Sequence, residues 1–267
     1  MKLLRVCVMT LIIGVACLGA EADGQEDLSF FFQQNFPHIA VGGPWSTRLT
    51  FVNVGSNATE FPLAFFKQNG EPWAVTTADG ETQSVFMLSL PLFGSMDIEL
   101  PSPGPEIQIG WAQIVQPANS TIAGHAIFRD NGGPGRPIPF EAVVPLSLFS
   151  EGDSGIAPGF RVTFLPFDNT NGFNTCMALA NPSNANTTQV AILLVDGDQL
   201  TEVADEDVVL PPLNQTAFCI REQLPFLEGK KGVLFLLRPL DHLTLSILAF
   251  RFDPQGSFTT FFPMWEQ

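Results

Sequence analysis

The chain has 267 residues, 45% of them apolar, and a formal net charge of −15. That length is too great for one typical domain and suits two of roughly 100–150 residues each, while the acidity argues against binding to phosphate backbones or to an anionic membrane surface. The aromatic set is 25 Phe, 4 Trp and no Tyr, which favours packed interiors over recognition faces, because Tyr carries the polar handle that such faces use.

From the N-terminus, Lys2 and Arg5 precede an apolar run from Val6 to Leu18, and Ala20-Glu21-Ala22 places small residues where a signal peptidase cuts. Residues 1–22 therefore read as a signal peptide cleaved near Ala22, and the expected location is secreted, cell-surface or periplasmic. A lipoprotein signal ending at Cys17 is the weaker alternative, since Gly14 stands where a bulky aliphatic residue is expected. No membrane span is expected after cleavage: the later apolar stretch Val233–Phe250 is broken by Arg238, Pro239, Asp241 and His242.

The first domain is expected over residues 28–152. In it Thr47, Leu49 and Phe51 alternate with Arg48, Thr50 and Val52, the period of a strand with one apolar face, and Asn53 ends it where an Asn can bond its own backbone and start a turn. The second domain is expected over residues 160–267, after a polar, glycine-rich linker between Ser147 and Arg161. Its strand with Thr175, Met177 and Leu179, closed by Asn181, repeats that pattern. Only Arg221–Glu228 reads as a short helical turn.

Three blocks recur in the same order in both domains, the signature of an internal duplication. Trp45–Asn53 matches Phe173–Asn181; Gly110–Pro117 matches Gly232–Pro239, continuing into Ala126–Arg129 against Leu248–Arg251; Phe140–Pro145 matches Phe258–Pro263. With 23 Gly and 22 Pro spaced along the chain, short strands and tight turns follow. The expected fold is all-β: two tandem immunoglobulin-like antiparallel β-sandwich domains. An outer-membrane barrel is a minor alternative that would need longer strands and aromatic girdles.

Two motifs carry a family resemblance: Phe36-Pro37 through Trp45 with Arg48–Asn53, and Pro166–Phe173 with Ala178–Pro182. They resemble uncharacterised secreted bacterial proteins with tandem immunoglobulin-like sandwich modules. The resemblance spans nearly the whole mature chain, implies the architecture and brings no activity with it. Pro44 departs from the pattern where a Gly is expected.

Chemistry-bearing candidates are few. Cys176 and Cys219 are the cysteines of the mature chain; they read either as one disulfide, the favoured form in an oxidising compartment, or as two buried thiols. Their counterparts in the first domain are Arg48 and, by a looser alignment, Val85. His38, His125 and His242 lie apart without zinc-ligand spacing. Asp196, Asp198, Glu202 and Asp205–Asp207 form an acidic stretch that does not match a calcium loop. Asp168–Gly172 reads as a turn, Trp45, Trp73 and Trp111 as packing positions, and Arg129 and Arg251 as matched sheet-edge residues. No catalytic, metal or cofactor-binding residue is assigned, and no nucleophile elbow or phosphate loop occurs. The expectation is a non-catalytic exported module pair acting in cell-surface structure, adhesion or ligand binding, with an extracellular protein or glycan as partner. The alternative is an exported hydrolase acting on polysaccharide.

Overall fold

A computed structural model describes residues 31–117, 121–132, 139–148, 160–196, 201–239, 245–261 and 264–265. The expected leader, Cys17, most of the linker and His242 lie outside the described residues. In chain order the strands are β1 (Phe31–Val41), β2 (Trp45–Asn53), β3 (Thr59–Lys67), β4 (Val75–Thr76), β5 (Thr82–Gln83), β6 (Val85–Leu90), β7 (Ser95–Leu100), β8 (Gln108–Pro117), β9 (Ile122–Asp130), β10 (Phe140–Pro145) and β11 (Ser147–Leu148). They continue with β12 (Phe160–Asp168), β13 (Asn174–Ala180), β14 (Thr188–Asp196), β15 (Thr201–Leu210), β16 (Gln215–Cys219), β17 (Lys231–Pro239), β18 (Ser246–Phe252), β19 (Phe258–Phe261) and β20 (Met264–Trp265). A four-residue helix, α1 (Ile220–Gln223), and a 3-10 turn at Pro225–Leu227 occupy the region expected to hold a helical turn. No helix among the described residues is long and apolar enough to cross a membrane.

The chain is all-β and antiparallel, and among the described residues no sheet mixes strands from its two halves. β1–β11 form a five-stranded sheet, β11-β1-β8-β3-β6, a four-stranded sheet, β10-β9-β2-β7, and the β4-β5 hairpin. β12–β20 form a five-stranded sheet, β20-β12-β17-β14-β15, and a four-stranded sheet, β19-β18-β13-β16. Strand for strand the second pair repeats the order of the first. Each order is linear and leaves free edges, unlike a closed barrel.

The two strand-ending asparagines show how local chemistry sets this frame. Asn53 accepts the Gly55 N–H at 3.0 Å and donates to the carbonyls of Asn57, Leu90 and Pro91. Asn181 accepts the Ser183 N–H at 3.0 Å and donates to Asn186, Leu210 and Pro211. Both side chains are fully buried, and each ties the end of one sheet to the turn that crosses to the other.

Two of the expected alignments shift. Leu49 stands opposite Ala126 and Met177 opposite Ala249, so Phe128 corresponds to Arg251 and not to Phe250. The shared Phe-Arg dipeptide had favoured the wrong pairing, and a one-residue slip sends every side chain to the other face. Likewise Cys219, opposite Cys176, corresponds to Glu99, opposite Arg48, and not to Val85.

The cores differ in filling. Between the first pair of sheets the rings run Phe36–Phe51–Phe61, with centroids 5.9 and 5.6 Å apart. The matching positions in the second half are Leu165, Leu179 and Val190, all buried. Three of the second half's phenylalanines, Phe250, Phe252 and Phe258, lie instead on the outer face of its four-stranded sheet. There Phe250 and Phe258, with Cys176, Ala178 and Leu248, join the apolar cluster of the first half. This is why all seven residues of β13 are buried, whereas β2 alternates.

Candidate functional site

The second half holds a half-open hollow of about 300 Å³ between its two sheets, beside β15 and β16. Its walls are apolar: Met177, Ile192, Val208, Phe218 and Leu234 come from the strands, with Ile220 and Leu224 closing one end. The polar groups reaching it are Asp207, Thr216 and Gln223. The size and composition match those of a small-molecule pocket, an apolar body with few polar groups to set orientation.

The same side of the first half is plugged. The β4-β5 hairpin, inserted between β3 and β6, crosses to the four-stranded sheet, where the Ala78 N–H bonds the Glu99 carbonyl at 2.9 Å. Under it Trp73 and Val75 are buried. Trp73 packs edge-on against Phe65, and its indole N–H donates to Gln108 at 3.2 Å. Gly110 makes room for this: a Cβ there would lie 2.6 Å from the Trp73 ring. In the second half α1 and the 3-10 turn frame the opening without filling it. Thr216 and Val208 stand where the first half has Met96 and Leu88, which leaves further volume unfilled.

The junction between the halves is the other concentration of unusual groups. The bulge at Phe36–Ile39 in β1 has no counterpart in β12, and it turns His38 into the contact. The His38 ring sits edge-on between Phe128 and Phe250, with centroids 5.6 and 5.3 Å away. Gln215 Nε2 lies 3.3 Å from its Nδ1. Burial pushes the His38 pKa down to about 4. Alongside, Trp111, fully buried and stacked on Phe66 at 4.6 Å, donates its indole N–H to the Leu213 carbonyl at 2.8 Å. The Gln215 N–H donates to the Gln68 carbonyl at 2.9 Å.

The remaining sequence candidates are structural. Cys176 and Cys219 are disulfide-bonded, directly opposite each other on β13 and β16. The equivalent place in the first half holds the Arg48–Glu99 ion pair at 2.7 Å. Asp205, Glu206 and Asp207 are successive positions of β15, paired in register with Leu193, Ile192 and Ala191 of β14, which is extended strand and not a calcium loop. The Asp168–Gly172 segment is a turn held by Thr170 donating to Asp168 and by the Thr175 N–H donating to Asn169. For Asp168, burial favours the neutral acid, but the bonds from Thr170 and the charges of Arg251 and Lys231 prevail and hold its pKa below the usual range. Arg251 also covers the Phe173 ring at 4.7 Å. Arg129 pairs with Glu141 at 2.6 Å. Trp45 packs on Phe140 and Phe258. His125 and His242 do not meet His38: His125 lies on β9, half-buried, and His242 is outside the described residues.

No protein-family model matches the chain, and neither the curated proteins nor the solved structures contain a match. The hollow was missed in the sequence because it arises from an absence, the missing hairpin. The one available signal was the stretch between Lys67 and Val85, which has no equal in the second half.

Proposed function

We propose that the protein is a non-catalytic exported pair of β-sandwich modules, residues 28–152 and 160–267, that acts at the cell surface by binding a ligand in the hollow of the second module. The observation that carries this reading is the contrast between the halves: one strand order, one side plugged by Trp73 and Val75, the same side left open in the copy. Apolar surface left open to water forgoes the stability that its burial would give, so an open, mainly apolar hollow in only one of two like modules points to use. Its lining favours an apolar group, either a small molecule or a side chain offered by an extracellular protein, over a glycan, which would call for an aromatic platform. The recurrence of strand order and of the two asparagine networks supports an internal duplication. The immunoglobulin-like reading is supported by the inner pairings β2-β7 and β3-β8, and it is weakened by β1 and β9, which sit on the sheets opposite to those of an immunoglobulin domain. The disulfide and the leader-like N-terminus both favour an oxidising, extracytoplasmic location. An exported hydrolase is the weaker reading, because Asp207 is the one carboxylate lining the hollow among the described residues.

The test is thermal unfolding against panels of small apolar amphiphiles and of cell-wall oligosaccharides, with and without calcium. An apolar ligand at a hundred times its dissociation constant adds roughly 2.7 kcal/mol. The same scan on Val208→Leu/Thr216→Met, which restores the first half's residues, should lose the shift. A shift that survives the filled variant, or one produced by oligosaccharides alone, would place binding elsewhere.

A further inference from the structure

The turn joining β15 to β16 docks on the first half, and its counterpart in the first half is built the same way but faces solvent. In both turns a bulky residue holds a left-handed backbone, Leu213 at φ 59 and Phe93 at φ 58, a conformation that β-carbon sterics disfavour. In both the next residue closes a turn onto a proline carbonyl, Asn214 to Pro211 and Gly94 to Pro91. In the second half the arrangement has a use. Leu213 offers its carbonyl to Trp111, and Pro182 offers its own to Gln113 at 3.5 Å, both on the outer face of the first five-stranded sheet. In the first half the matching residues are exposed: Phe93 at 77%, Leu92 at 45% and Val54, which follows Asn53 as Pro182 follows Asn181, at 50%.

The receiving face also has a counterpart. Trp111 and Gln113 on β8 correspond to Val233 and Phe235 on β17, and Phe66 beside Trp111 corresponds to Val195 beside Val233. Phe235 packs edge-on against Phe164 at 5.2 Å, with Leu193 opposite it on β14, and these side chains are partly exposed. The chemistry has changed in step on both sides. Within the chain a carbonyl meets an indole N–H and an amide. Between the two open faces, an exposed phenyl and leucine match a floor of Val, Phe and Leu that has no donor to offer.

We infer that the Leu92–Phe93 turn of one copy docks on the outer face of the β12–β14–β17 sheet of a second copy, repeating between chains the turn-on-sheet part of the contact that joins the halves within one, while the charged Arg48–Glu99 face stays in water. Such a contact is head-to-tail, so it leaves a free face at each end and builds open chains of copies. An exposed aromatic held on an unfavourable backbone is the kind of patch that marks an interaction site.

Sedimentation velocity over a concentration series tests this on the protein expressed with its own N-terminus. The average mass should climb with concentration past that of a dimer. Phe93→Gly suits the left-handed backbone, so it should keep or raise the melting temperature while holding the protein monomeric. Val233→Lys or Phe235→Ser, whichever retains the unfolding transition, should do the same from the other face. An equimolar mixture of Phe93→Gly with the sheet variant should form dimers and stop there, since each partner keeps one intact face. A monomer at every concentration, a symmetric dimer indifferent to both substitutions, or a mixture that stays monomeric would each overturn the inference. None of these outcomes touches the hollow, which lies between the sheets.

Discussion

At the scale of single residues, Asn53 and Asn181 carry more than a strand end requires. A turn needs only the side-chain oxygen bonded to the N–H two residues on. Here the amide nitrogen also reaches three carbonyls, at 2.7–3.2 Å for Asn53 and 2.8–3.1 Å for Asn181. Because both groups are buried, truncation strands several backbone oxygens away from water. Asn181→Ala and Asn53→Ala should each cost about 2–4 kcal/mol, read as a lower urea midpoint without a change in slope. Asn181→Asp should cost at least as much: it keeps the acceptor for the Ser183 N–H but sets a carboxylate against three carbonyl oxygens. A loss below about 0.5 kcal/mol in either alanine variant would mean that water replaces the amide.

At the scale of elements, one cross-strand position is solved in two ways. Cys176–Cys219 closes a sequence separation of 43 residues, for which loop entropy gives roughly 4 kcal/mol. The matching Arg48–Glu99 pair is part-exposed, at 37% and 29% of the two side chains, and a pair that water reaches and salt screens contributes little. Reducing the disulfide, or Cys176→Ser with Cys219→Ser, should therefore lower the melting temperature markedly, whereas Arg48→Ala should barely move it. The environments explain the choice: the outer face at Cys176 is buried against the first half, where a charge pair would lose its water, while the face at Arg48 is solvated. The sequence showed strands, turns and a cysteine pair suited to a bond, because these rest on alternation and local turn chemistry. It did not show which residue stood opposite which across β9 and β18, since Phe-Arg matches Phe-Arg at either register. Nor did it show that the face of β13 bearing Cys176 and Ala178 was covered: a strand buried on both faces loses its period, and what covers this one comes from a distant part of the chain.

At the scale of the whole molecule, the two halves share one apolar cluster, and among the described residues a single ionisable ring, His38, lies in its seam. His38 is neutral when the halves are together, with its pKa lowered to about 4 by burial, and an unfolded chain would hold it near 6.5. Between those values the unfolded state binds the proton more tightly, so stability rises with pH across the window. The contribution is complete above pH 6.5 and is lost as the pH falls towards 4. The full displacement corresponds to about 3 kcal/mol, and the ring's remaining exposure to water trims this to roughly 1–3 kcal/mol. Protonation also changes what Nδ1 presents to the Gln215 amide 3.3 Å away, and it sets a charge in a seam walled by Phe128 and Phe250. Asp168, held below its ordinary range, gives way only at lower pH and does not confuse the window. Urea midpoints from pH 7.5 down to 4.5 should therefore fall for the native chain, and fall less for His38→Phe, which keeps the ring and removes the titration. If the two curves run parallel, the seam does not sense protons. If His38→Phe is flatter while the Cys176→Ser/Cys219→Ser variant keeps the native slope, the pH response belongs to the contact between the halves rather than to the second half alone.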